Sequence, residues 1–271
     1  MDVDFEKALN ELNERTDTRC LDVEAIRDRI KLRPDILFTR VDDEFIIRFL
    51  RSRKYDKDKA FQLLVNYNQF RRKHFIFFKT LNISCLRPVF EDGLPTVSPL
   101  RDHLGRSLIF LFAGNWNSAL YTFDDILRAL FVTMEYLIES ERTQLFGVVL
   151  VVDFTGWKFA DAQKLNKQHL IDAIKMFQDC FPARFKAIHF INQPWYVRVM
   201  LTLIKSTLKE KTISRIYFHG KNLFELQNYI KADALPRELG GDLLITDKSW
   251  LYKALLEKEV FKGKSERKKI L

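Results

Sequence analysis

Four short runs rich in β-branched and aromatic residues, SLIFLF (107–112), GVVLVVD (147–153), AIHFIN (187–192) and RIYFH (215–219), alternate with long stretches of helical periodicity. This alternation constrains the fold more than any other feature of the chain. Strands so far apart cannot close tight hairpins, so they pair in parallel through right-handed crossovers. The first crossover, TFDDILRALFVTMEYLIES, puts Phe123, Ile126, Leu127, Leu130, Phe131, Met134, Leu137 and Ile138 on one broad face, which predicts a helix over 123–138. The second, LNKQHLIDAIKMFQDCF, does the same with Leu170, Ile171, Ile174, Phe177 and Phe181. The segment before the first run, EDGLPTVSPLRDHLGRS, reads as turns.

Residues 1–80 have a different character. DVDFEKALNEL and DVEAIRDRIKLR read as short amphipathic helices, the second stopped by Pro34. DDEFIIRFLRSRKY and DKDKAFQLLVNYNQFRRKH follow at helical spacing, the latter with Asp56 or Asp58 as N-cap. No glycine occurs before residue 93, as packed helices favour. The expected organisation is an all-helical N-terminal subdomain (1–80), an α/β domain with a mainly parallel sheet flanked by helices (81–245), and a C-terminal helix with a basic tail (246–271).

The stretch FPARFKAIHFINQPWYVRVMLTLIKSTLKEK (181–211) joins an apolar helix to cations. From Arg184 to Arg215 there are seven Lys or Arg and one acid, Glu210. Pro194 suits a first helical turn. Val197, Leu201, Ile204 and Leu208 fall on one face, while Trp195, Val199, Met200 and Leu203 spread apolar surface elsewhere. Such a helix needs two apolar neighbours. The net charge of +9 points to anionic partners, such as phosphates, nucleic acid or a membrane surface.

Catalytic signatures are missing. There is no nucleophile elbow, phosphate loop or dinucleotide fingerprint. Five scattered histidines form no ligand pattern; His189 and His219, in or beside predicted strands, read as hydrogen-bonded core residues. Asp153 reads as a turn acid. Cys20, Cys85 and Cys180 are too few and too far apart for a disulfide framework, which points to reduced thiols. The expectation is a non-enzyme with no cofactor and no metal. No apolar run reaches the roughly 18–20 residues of a membrane span, so membrane contact is expected to be peripheral.

DDEFIIRFLRSRKYDKDKAFQLL, VVDFTGWKF, the 181–220 stretch and LPRELGG together resemble the CRAL-TRIO lipid-transfer family, in the branch that holds the clavesins, with NQPWY and LKEKTISRI the most clavesin-like pieces. The resemblance covers roughly residues 20–245. It implies the CRAL-TRIO fold, with sheet and helices enclosing a hydrophobic pocket for one hydrophobic small molecule or lipid under a mobile gate helix. Carried over by position, it implies a pocket wall of Leu127, Leu130, Met134, Val148, Val152, Leu165, Met176 and Phe177. It implies a gate face of Val197, Leu201, Ile204 and Leu208. A phosphoinositide-binding cluster of Arg53, Arg184, Lys186 and Lys211 is implied as well, with Arg51 in support. The expected location is cytoplasmic and peripheral, on endosomal or trans-Golgi membranes. Two other readings stay open on the residues: a phosphoinositide-binding trafficking adaptor without transfer cargo, which a filled pocket would favour, and a nucleic-acid-binding basic protein, which salt-dependent RNA binding without vesicle binding would favour.

Overall fold

The computed structural model describes residue 6, residues 9–79 and residues 81–258. The first expected helix lies largely outside the described residues, and the basic tail of 261–271 entirely so. The helical lobe contains Arg19–Lys31, Asp43–Ser52 and Lys57–Lys73. The starts of the second and third have a local cause. Asp42 accepts the backbone N–H of Phe45, and Asp56 that of Lys59, so each carboxylate satisfies an otherwise unpaired first-turn donor. Phe45, Phe49 and Tyr67 meet edge-to-face at 5.1–5.7 Å and lock the Asp43–Ser52 helix onto Lys57–Lys73.

Five strands form one sheet in the order β1 (Thr96–Arg101), β2 (Ser107–Phe112), β3 (Val148–Asp153), β4 (Phe185–Ile191), β5 (Ile216–Gly220). β1 is antiparallel to β2; every other pair is parallel. The segment read from sequence as turns therefore holds a strand. The strand tolerates Pro99 because β1 is the sheet edge and its register shifts between Val97 and Arg101, where a missing N–H breaks no ladder bond.

Because β2 to β5 add in one direction, right-handed crossovers carry all three connecting segments to the same face. They are built on Phe123–Leu137, Lys167–Lys175 and Trp195–Ile204. Thr122 and Asp125 form a reciprocal capping box at the start of the first. The opposite sheet face (Leu108, Phe110, Val149, Val151, Ala187, Ile191) is covered by Leu226, Ile230, Leu235 and Leu239. His189 and His219 lie on that rear face, Nδ1 to Nε2 at 2.9 Å, stacked with Tyr217. Burial holds the His189 pKa down at about 3, so this imidazole is neutral.

The helical lobe and the α/β part share one apolar core. Phe49 and Leu64 belong to the same cluster as Phe131, Met134 and Phe181, joined by the C-terminal helical residues Leu251, Tyr252 and Leu255. A buried ion pair clamps the seam. The Arg51 guanidinium donates to both oxygens of Glu14 at 2.7 Å, to Glu141 at 2.5 Å and to Gln144 at 2.7 Å.

Candidate functional site

A cavity of about 1050 Å³ lies between the front sheet face and the crossovers, at or above the upper end of the roughly 300–1,000 Å³ usual for small-molecule sites. Its floor is set by strand register. Leu150, Ile188 and Ile216 pair across β3, β4 and β5, and Leu111, Val152 and Phe190 form the next row across β2, β3 and β4. Period-2 alternation sends these side chains forward and their neighbours into the rear core. An all-parallel array apolar on both faces needs cover on both; here one cover is protein and the other is the chamber.

Of the expected wall residues, Leu127, Leu130, Val152, Leu165 and Phe177 line the cavity, and Met134, Val148 and Met176 do not. Val148 shares the forward face of β3 with Leu150 and Val152, but sits at the strand start, buried in the core cluster with Ile109, Leu137 and Phe181. Met134 is fully buried in the same cluster, on the part of its helix that faces the N-terminal lobe. Met176 begins a π-type turn, Met176–Cys180, and lines a separate 140 Å³ recess with Phe70, His74 and Phe77. The helical period predicted one broad apolar face but not where chamber gives way to core.

All four expected gate residues, Val197, Leu201, Ile204 and Leu208, face the cavity, with Met200 beside them. On the other side Trp195 is 73% exposed, Leu203 63% and Val199 47%. Pro194 is the N-cap, and the helix tightens into a 3-10 turn, Lys205–Thr207. Few polar bonds hold the segment down. Tyr196 Oη donates to the Trp157 carbonyl at 3.1 Å, and the Arg198 guanidinium sits 4.4 Å over the Phe218 ring. Gln178, presented by the π-type turn, accepts from the Lys209 N–H at 2.9 Å and the Thr212 hydroxyl at 2.7 Å.

One end of the chamber is cationic. Arg53, Arg184, Lys186 and Lys211 all line it, and Lys54 and Arg215, which the sequence reading missed, join them. Arg51 does not; the seam clamp consumes it. Arg51 is in the last turn of the Asp43–Ser52 helix and Arg53 is its C-cap, so about 200° of helix rotation separates them and their side chains leave on opposite sides. Gly147 shapes the other side. At φ 86° its missing side chain leaves room for the neighbouring strand, since a Cβ there would meet the Arg184 carbonyl oxygen at 2.4 Å and the Lys186 stem at 2.9 Å. Arg184 is steadied by its 2.6 Å bond to the Leu145 carbonyl.

These cations are poorly neutralised. Among the described residues, Arg53, Lys54, Lys211 and Arg215 are in no ion pair with a carboxylate. Burial pushes the pKa values of Arg53, Arg184 and Arg215 down. Burial, reinforced by Arg215 and Lys54, does the same to Lys211. Lys186 is lowered most, to about 8, by burial and by Arg184. Cations held this way are set to receive an anion. Because the folded-state pKa of Lys186 is below its ordinary 10.5, the folded chain binds fewer protons than the unfolded chain between about pH 8 and 10.5. Raising the pH through that window should therefore favour the ligand-free fold, yet weaken anion binding as Lys186 loses its charge. Lys186→Arg should hold anion affinity flat to higher pH; calorimetric titrations across pH 7 to 10 would check both signs.

Fold and chamber define a class: a sheet-based container with an apolar interior and a cationic mouth. The CRAL/TRIO domain model matches residues 91–241, and the CRAL/TRIO N-terminal domain model residues 5–66. The chain belongs to this family of lipid-binding proteins. It is similar to Clavesin-1 of Xenopus laevis, 45% identical over 241 residues that span 88% of this chain and 73% of that one. It is similar to Clavesin-2 of Homo sapiens, 43% identical over 257 residues that span 94% and 79%. Among solved structures, Sfh5 aligns over 81% of each chain at 16% identity with a TM-score of 0.46.

Proposed function

We propose that this chain carries one hydrophobic molecule or lipid tail in the chamber, under a gate formed by residues 194–208. In this reading it docks on phosphoinositide-containing membranes through Arg53, Arg184, Lys186 and Lys211. The observation that carries the reading is continuity: a single cavity runs from a wholly apolar floor to a mouth ringed by half-buried cations. The apolar part suits acyl or isoprenoid chains. The cations suit phosphate oxygens, each basic group near an anionic leaflet contributing about 1 kcal/mol. The outer face of the gate, with Trp195 and Leu203 exposed, supplies apolar surface to the bilayer boundary. A membrane that holds the cations on both sides of the gate has more grip on the open state than on the closed one, which is what shifts a conformational equilibrium.

The role is one of binding, not catalysis. Asp153, at the end of the central strand, is spent on its own turn, accepting from Thr155 and Asn192. Among the described residues no helix is long and apolar enough to cross a membrane. Contact would be peripheral, on the cytoplasmic side of endosomal or trans-Golgi membranes. The open chamber weighs against an adaptor with a filled pocket. The cations gather around a cavity mouth, which weighs against a nucleic-acid surface.

Arg184→Ala with Lys186→Ala is expected to lower binding to phosphatidylcholine vesicles doped with a phosphatidylinositol bisphosphate by about tenfold or more, each charge contributing about 1 kcal/mol. Added salt should narrow the gap. Vesicle flotation measures it, and equal binding by mutant and parent would overturn the docking site.

A further inference from the structure

Among the described residues, one carboxylate lines the cavity: that of Glu11, from the extreme N-terminal part of the described chain. It reaches Arg184 Nη2 at 3.6 Å and Lys186 Nζ at 3.8 Å, two half-buried cations of the mouth. Its backbone is pinned by the residues that follow it. Leu12 is fully buried against Leu145, and Glu14 is buried in the Arg51 clamp. Yet the Glu11 side chain is 56% exposed, against 10% for Arg184 and 26% for Lys186. Pinned neighbours keep the carboxylate beside the cations, while its own exposure leaves it free to swing out. Both ion pairs are longer than a charge-assisted hydrogen bond, so neither is locked.

We propose that Glu11 is an internal competitor for the anion site: its carboxylate sits where a phosphomonoester of the headgroup binds, and must be displaced for binding to occur. This rests on the headgroup site proposed above and adds the element that sets its affinity. The apparent dissociation constant is the intrinsic one divided by the fraction of molecules whose Glu11 is already swung out. Competition of this kind taxes every anion by the same factor. Weakly held headgroups carrying a single charge then drop out of the working range, while polyphosphorylated ones stay inside it. The charge state of the cluster agrees with the role. Glu11 pulls the Lys186 pKa upward against burial and Arg184, and a phosphate taking its place does the same work with more charge.

The test compares the parent with Glu11→Gln, which removes the charge and keeps the shape, and with Glu210→Gln. Glu210 neighbours Lys211 in sequence, is exposed and does not line the cavity. It controls for the general effect of one less negative charge. The probes are a soluble inositol polyphosphate, followed by calorimetry, and phosphatidylcholine vesicles doped with either phosphatidylserine or a phosphatidylinositol bisphosphate. Glu11→Gln should bind the soluble headgroup about fivefold tighter, the affinity change one unit charge makes at such a surface. The same factor should appear on both kinds of vesicle, and Glu210→Gln should give a clearly smaller gain. Glu11→Asp, whose shorter side chain reaches the cations less well, should fall between parent and Glu11→Gln. The unfolding midpoints should stay together, because a half-exposed ion pair adds little stability. Equal gains in Glu11→Gln and Glu210→Gln would reduce the effect to net charge and overturn the competitor. Parent-level or weaker binding by Glu11→Gln would overturn it as well, while leaving the headgroup site standing. No binding of any phosphate probe by any variant would overturn the site itself and the competitor with it. Tighter vesicle binding with no change for the soluble headgroup would place the action of Glu11 on the bilayer, not in the cluster, and would also overturn it.

Discussion

Arg51→Ala is expected to cost about 3–5 kcal/mol of folding stability, the penalty for stripping one partner from a buried ion pair. The Glu14 carboxylate would stay behind with its side chain 2% exposed. Gln144 and Glu141 would lose the same donor. The loss would fall on the seam between helical lobe and sheet domain, so both should melt in one transition, the shared core of Phe49, Leu64, Phe131 and Met134 making them one cooperative unit. The urea midpoint should drop with little change in slope. Arg51→Met with Glu14→Met should recover most of the loss, because two apolar groups leave no buried charge unpaired. A cost for Arg51→Ala of no more than about 1 kcal/mol, the range of exposed pairs, would mean that the clamp is decorative.

Leu150→Trp is expected to abolish uptake of a hydrophobic cargo while leaving the fold standing. Leu150 occupies the middle of the chamber floor, flanked in register by Ile109 and Ile188, and its side chain points into open volume. An indole there grows into the space a ligand would fill, so the stability cost should stay below the roughly 1–3 kcal/mol of overpacking a closed core. Loss of only about 1.4 kcal/mol of ligand contact would already weaken binding tenfold. Leu130→Trp makes a useful contrast. Leu130 lines the cavity and also belongs to the shared core, so that variant should lose both cargo and stability. Native mass spectrometry of the purified proteins, with extraction of what travels with them, reads the first effect; thermal unfolding reads the second. A full cargo load in a folded Leu150→Trp protein would mean that the chamber is not the carrier site.

The elements of the fold were written locally. The β-branched runs at 107–112 and 147–153 became β2 and β3, with the other two parallel strands displaced by a residue or two, because period-2 burial leaves a trace in every few residues. The 3.6-residue pattern likewise gave the Phe123–Leu137 helix and the inward face of Trp195–Ile204. Resemblance supplied the further step of naming a pocket, a gate and a cationic cluster, which no periodicity could supply.

Tertiary structure decided whatever depends on what lies across the gap. Val148 and Val152 are the same residue type on the same face of one strand, yet one is packed core and the other cavity wall, because Ile109, Leu137 and Phe181 close over the first and the chamber opens over the second. Arg51 and Arg53 stand two positions apart on opposite sides of a helix end, and only the closed chain sets a buried carboxylate before one and the cavity mouth before the other. β1 lies in a segment whose turn residues conceal a strand, and its Pro99 is tolerated at a sheet edge, a position that is a property of the whole sheet. Glu11 is 173 positions from Arg184 in sequence. Local pattern encodes which way a side chain points; only the closed chain fixes what it meets, because Coulomb and packing energies depend on distance in space and not on separation along the backbone.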